Sequence, residues 1–422
     1  METLYKAYKR SSGICIDSRK IQGDCLFFCL KGDRFNGNDF ALEAIKQGAS
    51  AVVVDEDRNW ESPLIIKVED GLKTLQALAS YHRSQLKIPI IGLTGSNGKT
   101  TTKELFREVL SAKYKVRATI GNLNNHIGVP LSLLSIQAED EIAIIEMGAN
   151  AQKEIEFLSS MAQPTLGYIT NFGLAHLEGF GGPEGVIKGK SELYQNLRSN
   201  NRTVLVNSDD PLQLKNSEGI TRILFGQTVE NPFRVHLENA ANTVSVRWQD
   251  SVIKTQLTGI YNFSNIAAAL RLGIYFQIPI DYIVRALESY SPTNHRSQWQ
   301  KGKYNNLIVD CYNANPSSME LALNNLQLQP KPNIAILGDM FELGVYAQLE
   351  HQRIIDHAIK LGIDSLILVG AHFSDCQFPK TVLCFLNTDE VLEYLRQNAI
   401  KGQTILVKGS RGMALEKLLE WL

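Results

Sequence analysis

The stretch Ile-Ile-Gly-Leu-Thr-Gly-Ser-Asn-Gly-Lys-Thr-Thr-Thr-Lys-Glu, residues 90–104, constrains the fold of this chain more than any other. An apolar run at 88–93 reads as a buried strand, and a glycine-rich turn leads from it into a helix. Gly95 and Gly98 let the backbone wrap tightly, so that consecutive N–H groups converge on one anion. Lys99 adds positive charge for the β and γ phosphates, and Thr100 a hydroxyl for Mg²⁺. The general pattern has a glycine at the position of Leu93; here it stands at Gly95. A glycine turn between strand and helix is commonly structural only. Gly-Lys-Thr directly after an apolar strand is much rarer. The sequence therefore predicts an ATP or GTP phosphate site made by Thr94, Gly95, Ser96, Asn97, Gly98, Lys99, Thr100 and Thr101.

A chain of 422 residues asks for two or three domains, and three segments can be read. Residues 1–87 alternate short strands (13–17, 25–30, 51–54, 64–68) with helices (39–47, 71–86). Residues 88–292 open with the phosphate loop and carry apolar strands at 142–146, 166–170 and 203–207, with helices at 101–112, 152–160 and 183–197 between them. Buried strands alternating with helices predict a mostly parallel sheet covered on both faces. From 222 to 257 short strands alternate, which predicts an antiparallel extension, and a helix at 262–276 follows. Residues 293–422 repeat the rhythm: strands 307–310, 334–337, 365–369 and 404–407, helices 317–326, 348–361, 388–397 and 412–421. This reads as a Rossmann-like sheet, so the fold class is α/β in three domains.

Composition excludes several partners. The net charge of −1 gives no basis for a nucleic-acid or membrane surface. No run is long enough to span a bilayer, and residues 1–10 lack the apolar core of a signal peptide. The six cysteines show no paired metal spacing, and Cys25 and Cys29 read as small buried residues of a strand. A cytoplasmic monomer is expected.

Candidate chemistry clusters at strand ends, where such sheets bind ligands. Glu146 ends the strand 142–146, and beside a phosphate loop its role is to hold Mg²⁺, a hard cation that prefers oxygen. His176 lies in a loop with four glycines beyond the next strand, a position for metal or phosphate. Lys188 and Lys190 open a helix and, on spacing alone, read as a solvated face. Asn124 and Asn125 lie in a carboxamide-rich loop, 121–130, that suits sugars and diphosphates or simply turns. Asn294-His295-Arg296, the run from Asp310 to Ser318 and Lys408-Gly-Ser-Arg411 leave strands or a segment junction, as linkers or as parts that complete a nucleotide site.

Taken together these segments resemble the ATP-dependent Mur ligases of bacterial cell-wall synthesis. Asp17-Ser-Arg19 with the Gly23–Phe35 run is similar to the family's uridine-nucleotide domain. The phosphate loop, Asn124–Pro130, Glu146-Met-Gly148, Ala175–Gly181, Tyr261–Asn265, Tyr312-Asn-Ala-Asn-Pro316 and Lys408–Arg411 follow in the family's order. The resemblance implies a uridine-binding first domain, a central ATP-binding domain and a C-terminal ligase domain. It implies that Glu146 and His176 bind magnesium with Thr100, and that Lys190 carries CO₂ as a carbamate near a second Mg²⁺. Asn265 and Arg296 would meet the adenine side of ATP, and Asp310 the ribose. Ser18 and Arg19, with Asn124 and Asn125, would bind the uridine-nucleotide substrate. Asn313, Asn315, Lys408, Ser410 and Arg411 would face the incoming dipeptide and the reacting carboxylate. The sequence departs from the family at 35–40, where Asn36 and Asn38 replace its usual Asp-Gly-His pattern.

The implied reaction joins D-alanyl-D-alanine to UDP-N-acetylmuramoyl-tripeptide through an acyl phosphate, using ATP and two Mg²⁺. The alternatives are a sister ligase adding one amino acid, a folylpolyglutamate synthase-like ligase, or a nucleotide-dependent switch that ligates nothing.

Overall fold

The computed structural model describes residues 1–228, 233–292 and 298–422. Its first sheet consists of four parallel strands in sequence order: β1 (Ile14–Cys15), β2 (Leu26–Phe28), β3 (Ala51–Val54) and β4 (Ile65–Lys67). Cys25 and Cys29 are buried there as the sequence predicts, packed with Phe27, Val52 and Val54. The predicted strand 13–17 pairs only over two residues. The helix Glu2–Arg10, which periodicity did not single out, fastens this part to the next: the Tyr8 hydroxyl donates to Leu134 O at 2.7 Å.

The central sheet has six parallel strands: β5 (Ile90–Thr94), β6 (Val116–Ala118), β7 (Ile142–Glu146), β8 (Leu166–Ile169), β9 (Thr203–Asn207) and β10 (Thr221–Phe225), in spatial order β10-β9-β8-β5-β7-β6. Its strands are apolar on both faces because helices cover both. Ile91, Leu93, Ile142 and Ile144 pack against Leu105, Phe106 and Leu270, from helices Lys99–Ser111 and Asn262–Tyr275. Ile90, Ala143 and Ile145 face Ile155, Leu158 and Leu193, from Glu154–Ala162 and Pro183–Ser199. The antiparallel extension is smaller than predicted. Its first strand, β10, instead joins β9 in parallel register, Thr203 opposite Thr221 through Asn207 opposite Phe225. Ile223 and Phe225 belong to the face already built by Leu205, so they are buried by continuing that sheet. The three strands β11 (His236–Asn239), β12 (Ser245–Trp248) and β13 (Ser251–Lys254) form the antiparallel part.

The third sheet has β14 (Gln298–Lys301), β15 (Asn306–Asp310), β16 (Asn333–Gly338), β17 (Ser365–Val369), β18 (Leu383–Phe385) and β19 (Thr404–Lys408), ordered β14-β15-β19-β16-β17-β18, parallel except for β14. The helix predicted at 412–421 is a 3₁₀ segment, Leu415–Trp421, preceded by Ala414 at φ +51°. That left-handed residue interrupts the turn before it. The buried Leu415 and Leu418 lie three apart, matching the three-residue period of a 3₁₀ helix. One apolar core runs through all three sheets, joining Phe28, Ile145 and Leu337.

Candidate active site

The C-terminal ends of β5, β7 and β8 lie side by side, and the loops leaving them build one wall of a cavity of about 700 Å³. Gly98 has φ +78° and Gly95 φ +140°. A Cβ at Gly95 would stand 2.0 Å from Thr170 Oγ1, so only glycine lets the loop pass the end of β8. Thr170 Oγ1 and Asn171 Nδ2 donate to Asn97 O at 2.6 and 3.0 Å, and Ser96 Oγ donates to Gly173 O at 2.6 Å. Lys99 Nζ curls back over its own turn, donating to Gly95 O at 2.6 Å and Ser96 O at 3.1 Å. Lys99 and Thr100 open the helix Lys99–Ser111, which points its N-terminus at the cavity. That geometry suits an anion.

Glu146 ends β7 fully buried. Its Oε1 accepts from Asn124 Nδ2 at 2.8 Å and lies 3.4 Å from Thr100 Oγ1. Its Oε2 is buried with no protein partner. A buried carboxylate oxygen left unsatisfied beside a phosphate loop is a place for a cation. Among the described residues no three His, Cys, Asp or Glu side chains form a ready-made metal cluster. Magnesium suits that economy, since it takes few protein oxygens and completes its shell with phosphate and water. Asn125, paired in the sequence reading with Asn124, does different work: its Oδ1 accepts from Ile127 N and Gly128 N at 3.1 and 2.9 Å, turning the chain into the next helix.

His176 lines the cavity, and its Nδ1 is paired with the Glu342 carboxylate of the third segment. That contact holds Glu342 below the usual carboxyl range. Glu342 was missed by sequence reading, although it follows β16 as Glu146 ends β7. Asn265 lines the cavity beneath Gly98 and is immobilised, accepting from Thr102 Oγ1 at 3.1 Å and donating to Asn262 Oδ1 at 2.9 Å. Lys103, also missed, is buried and donates to Thr119 O at 2.7 Å, while Thr119 Oγ1 accepts from Glu146 N at 3.0 Å. It thereby braces the strand that carries Glu146. No spacing signal separates such a lysine from a solvated one.

The opposite wall comes from the third segment. Asp310 and Lys408, at the ends of the paired strands β15 and β19, form an ion pair at 2.6 Å, and Lys408 Nζ also donates to Asn313 O at 3.1 Å. Asn313 and Asn315 line the cavity with them, as do Thr101, Asn124 and Asn125 from the central segment. Ser410 and Arg411 do not: Ser410 Oγ accepts from Phe341 N at 3.0 Å, and the exposed Arg411 pairs with Glu416. Thr94 and Gly95 lie behind the phosphate loop's lining residues, Thr94 Oγ1 buried without a partner. Ser18 and Arg19 sit on the turn Ser18–Lys20, away from the cavity, with Arg19 85% exposed and forked onto Asp17 at 2.9 Å. That contact pulls the Asp17 carboxyl down to about 2. Arg296 and its neighbours Asn294 and His295 lie outside the described residues.

Lys188 and Lys190 separate sharply. Lys188 is exposed, whereas Lys190 is fully buried. Lys190 Nζ donates to Ala149 O at 3.1 Å and lies 4.7 Å over the Phe180 ring. Burial, with the Lys99 charge second, pushes its amine well below the usual lysine range.

A phosphate loop facing a Rossmann-type sheet across one cavity defines an ATP-dependent ligase. The chain belongs to the Mur ligase family. Residues 10–83 match the model of the Mur ligase family catalytic domain, 93–273 the Mur ligase middle domain and 295–411 the Mur ligase glutamate ligase domain. It is 33% identical to the UDP-N-acetylmuramoyl-tripeptide--D-alanyl-D-alanine ligase of Bacillus subtilis, over 97% of this chain and 92% of that protein. Among solved structures it is similar to MurF from Acinetobacter baumannii (TM-score 0.86, 27% identity, 99% of this chain and 97% of the other). MurF ligase from Thermotoga maritima in complex with ADP gives a TM-score of 0.85 at 26% identity, over 98% and 97% of the two chains.

Proposed function

We propose that this protein joins D-alanyl-D-alanine to the terminal carboxylate of UDP-N-acetylmuramoyl-tripeptide, with ATP as the energy source. The observation that carries the ligase reading is the convergence of Lys99, Thr100 and Glu146 with Asp310, Asn313 and Lys408 on one cavity. The choice of substrates rests on similarity over nearly the full chain to proteins of that name.

The tripeptide carboxylate attacks the γ-phosphorus of ATP, giving an acyl phosphate and ADP. The dipeptide amine then attacks the acyl carbon, phosphate leaves and the amine loses a proton. Lys99 and the N–H groups of the loop hold the phosphates and disperse charge on the transferred group. Magnesium, when bound, neutralises phosphate charge. Thr100 and Glu146 would hold it, with His176 contributing through Nε2, because Nδ1 is engaged by Glu342. A lysine amine whose pKa lies far below normal is neutral at lower pH and can take up CO₂. Lys190 is therefore the residue for the carbamate. Asn265 and Arg296 serve adenine, Asp310 the ribose, and Asn313, Asn315 and Lys408 the acceptor side, with Ser410 and Arg411 lying outside the cavity. Ser18 and Arg19 take the uridine nucleotide in a domain spanning 1–87, with Asn124 and Asn125 along the path to the phosphate loop. Domains 88–292 and 293–422 supply the other two parts.

Purified protein should sustain phosphate release over many turnovers only when ATP, Mg²⁺, a UDP-muramoyl tripeptide and D-alanyl-D-alanine are all present. Tripeptides ending in lysine and in diaminopimelate should both be tried. Efficient turnover with a single amino acid in place of the dipeptide would move the protein to a sister ligase. Nucleotide binding with no dipeptide-dependent release would make it a switch.

A further inference from the structure

Among the described residues, the phosphate loop and the third segment are hydrogen-bonded directly through the Asn97–Asn315 side-chain pair. Asn315 Nδ2 donates to Asn97 Oδ1 at 2.7 Å, and Asn97 Nδ2 returns a longer bond to Asn315 Oδ1 at 3.4 Å. Two carboxamides facing head to tail satisfy each other without charge. The junction is built for close approach. Gly173 lies beneath it, and a Cβ there would stand 3.0 Å from Asn97 Nδ2 and 3.2 Å from Ser317 Oγ. Ser317 Oγ accepts from Leu174 N at 2.8 Å, a second tie across the same seam. Asn97 itself is rigidly mounted, its backbone N–H and C=O both bonded to the Asn171 side chain. Asn315 is equally fixed: it caps the helix Pro316–Gln327, with Ser318 completing a reciprocal capping box.

We infer that Asn97 and Asn315 are a pair of positioning residues, a clasp that docks the acceptor-side segment on the phosphate loop. Asn313 lies two residues before Asn315, and Lys408, bonded to Asn313 O and Asp310, lies just behind it. Closing the clasp therefore sets the acceptor-side groups against the place where the γ phosphate is transferred. The inference rests on the ligase reading above and assigns these two asparagines to each other, in addition to the ligands they face.

The cap and the clasp can be separated. Serine caps a helix about as well as asparagine but is too short to reach Asn97, so Asn315→Ser keeps the helix and removes the clasp. Asn97→Ser removes it from the other side. In the full chain, each single variant should lower kcat/KM for D-alanyl-D-alanine about fivefold or more, the equivalent of one net hydrogen bond. The double variant should be no worse than the poorer single one. Asn315→Ser should bind a non-hydrolysable ATP analogue with unchanged Kd, because the nucleotide's phosphates rest on the central segment. Wild-type kinetics in Asn315→Ser, or losses that multiply in the double variant, would overturn the clasp. An analogue Kd weakened as much as kcat/KM would also overturn it, making Asn315 a nucleotide ligand instead. Small-angle scattering provides an arm independent of turnover: with analogue and UDP-tripeptide bound, Asn315→Ser should remain more extended than wild type, and equal compactness would refute the inference. Wild-type protein that compacts but never ligates would refute the functional reading and leave the clasp supported by scattering alone.

Discussion

Lys188 and Lys190 are two residues apart on one helix and live in different media. Burial disfavours the charged form of Lys190 and holds its pKa well below the usual lysine range. Unfolding restores an ordinary lysine, so the unfolded chain binds more protons between the depressed pKa and about 10.5. The penalty is complete below the depressed value and fades as pH rises towards 10.5. Lys190→Met is accordingly expected to raise Tm at neutral pH, by roughly 2–4 °C for each kcal/mol recovered in a domain of this size, and to flatten the rise of Tm with pH. It should lose most ligase activity, while Lys188→Ala should be mild in both assays. Calorimetry across pH with parallel ADP-release assays checks this; a destabilised Lys190→Met would mean that the buried amine is better satisfied than its single bond to Ala149 indicates. Lys99→Ala is expected to cut turnover by about a hundredfold or more, the scale of losing one charge-stabilising donor. Its melting curve should stay close to wild type, because the side chain bonds its own loop and not the core. Near-normal turnover would remove the ATP-site assignment.

At the level of elements, the phosphate loop depends on conformations that only glycine adopts freely. Gly98 combines φ +78° with a Cβ position 3.0 Å from Asn265 Oδ1, whereas Gly121 has φ +56° and open space. Both alanine variants would bear the left-handed backbone cost of about 1–2 kcal/mol. Gly98→Ala alone should also displace Asn265 and weaken binding of an ATP analogue. Titrating both variants with the analogue separates the effects; equal affinities would show that the loop absorbs the extra atom. The loop and the strands β5, β7 and β9 were legible because apolar runs and glycine spacing report local geometry. The strand β10 was misassigned because whether a short strand pairs in parallel or antiparallel depends on its neighbour, here β9. The 3₁₀ ending at 415–421 was read as an α-helix because three- and four-residue spacings of leucine are ambiguous until the sheet beneath selects one.

For the whole molecule, catalysis requires the third segment to meet the phosphate loop, and the free enzyme is expected to be more open than the complex with ATP analogue and UDP-tripeptide. Scattering curves that superimpose in the two states would count against closure. The contacts across the seam should not contribute equally. Glu342 is 52% exposed in its pairing with His176, and a contact that exposed is worth about 0–1 kcal/mol. Glu342→Gln should therefore change kcat/KM by less than about threefold, less than Asn315→Ser. A larger loss would place Glu342 in the metal or substrate chemistry. Among the described residues no helix is long and apolar enough to cross a membrane.

What the sequence determined alone is whatever depends on near neighbours along the chain. That covers the phosphate loop with Lys99 and Thr100, the strand-end position of Glu146, the three α/β segments, and the ordered motifs that mark the family. The tertiary structure decided everything that depends on partners distant in sequence. It buried Lys190 and exposed Lys188, paired Asp310 with Lys408 across 98 residues, tied His176 to Glu342, and set Asn97 against Asn315. It also kept Ser18, Arg19, Ser410 and Arg411 off the cavity. The reason is physical: burial, desolvation and side-chain pairing are properties of the packed neighbourhood, and residues more than a few turns apart share one only after the sheets have come together.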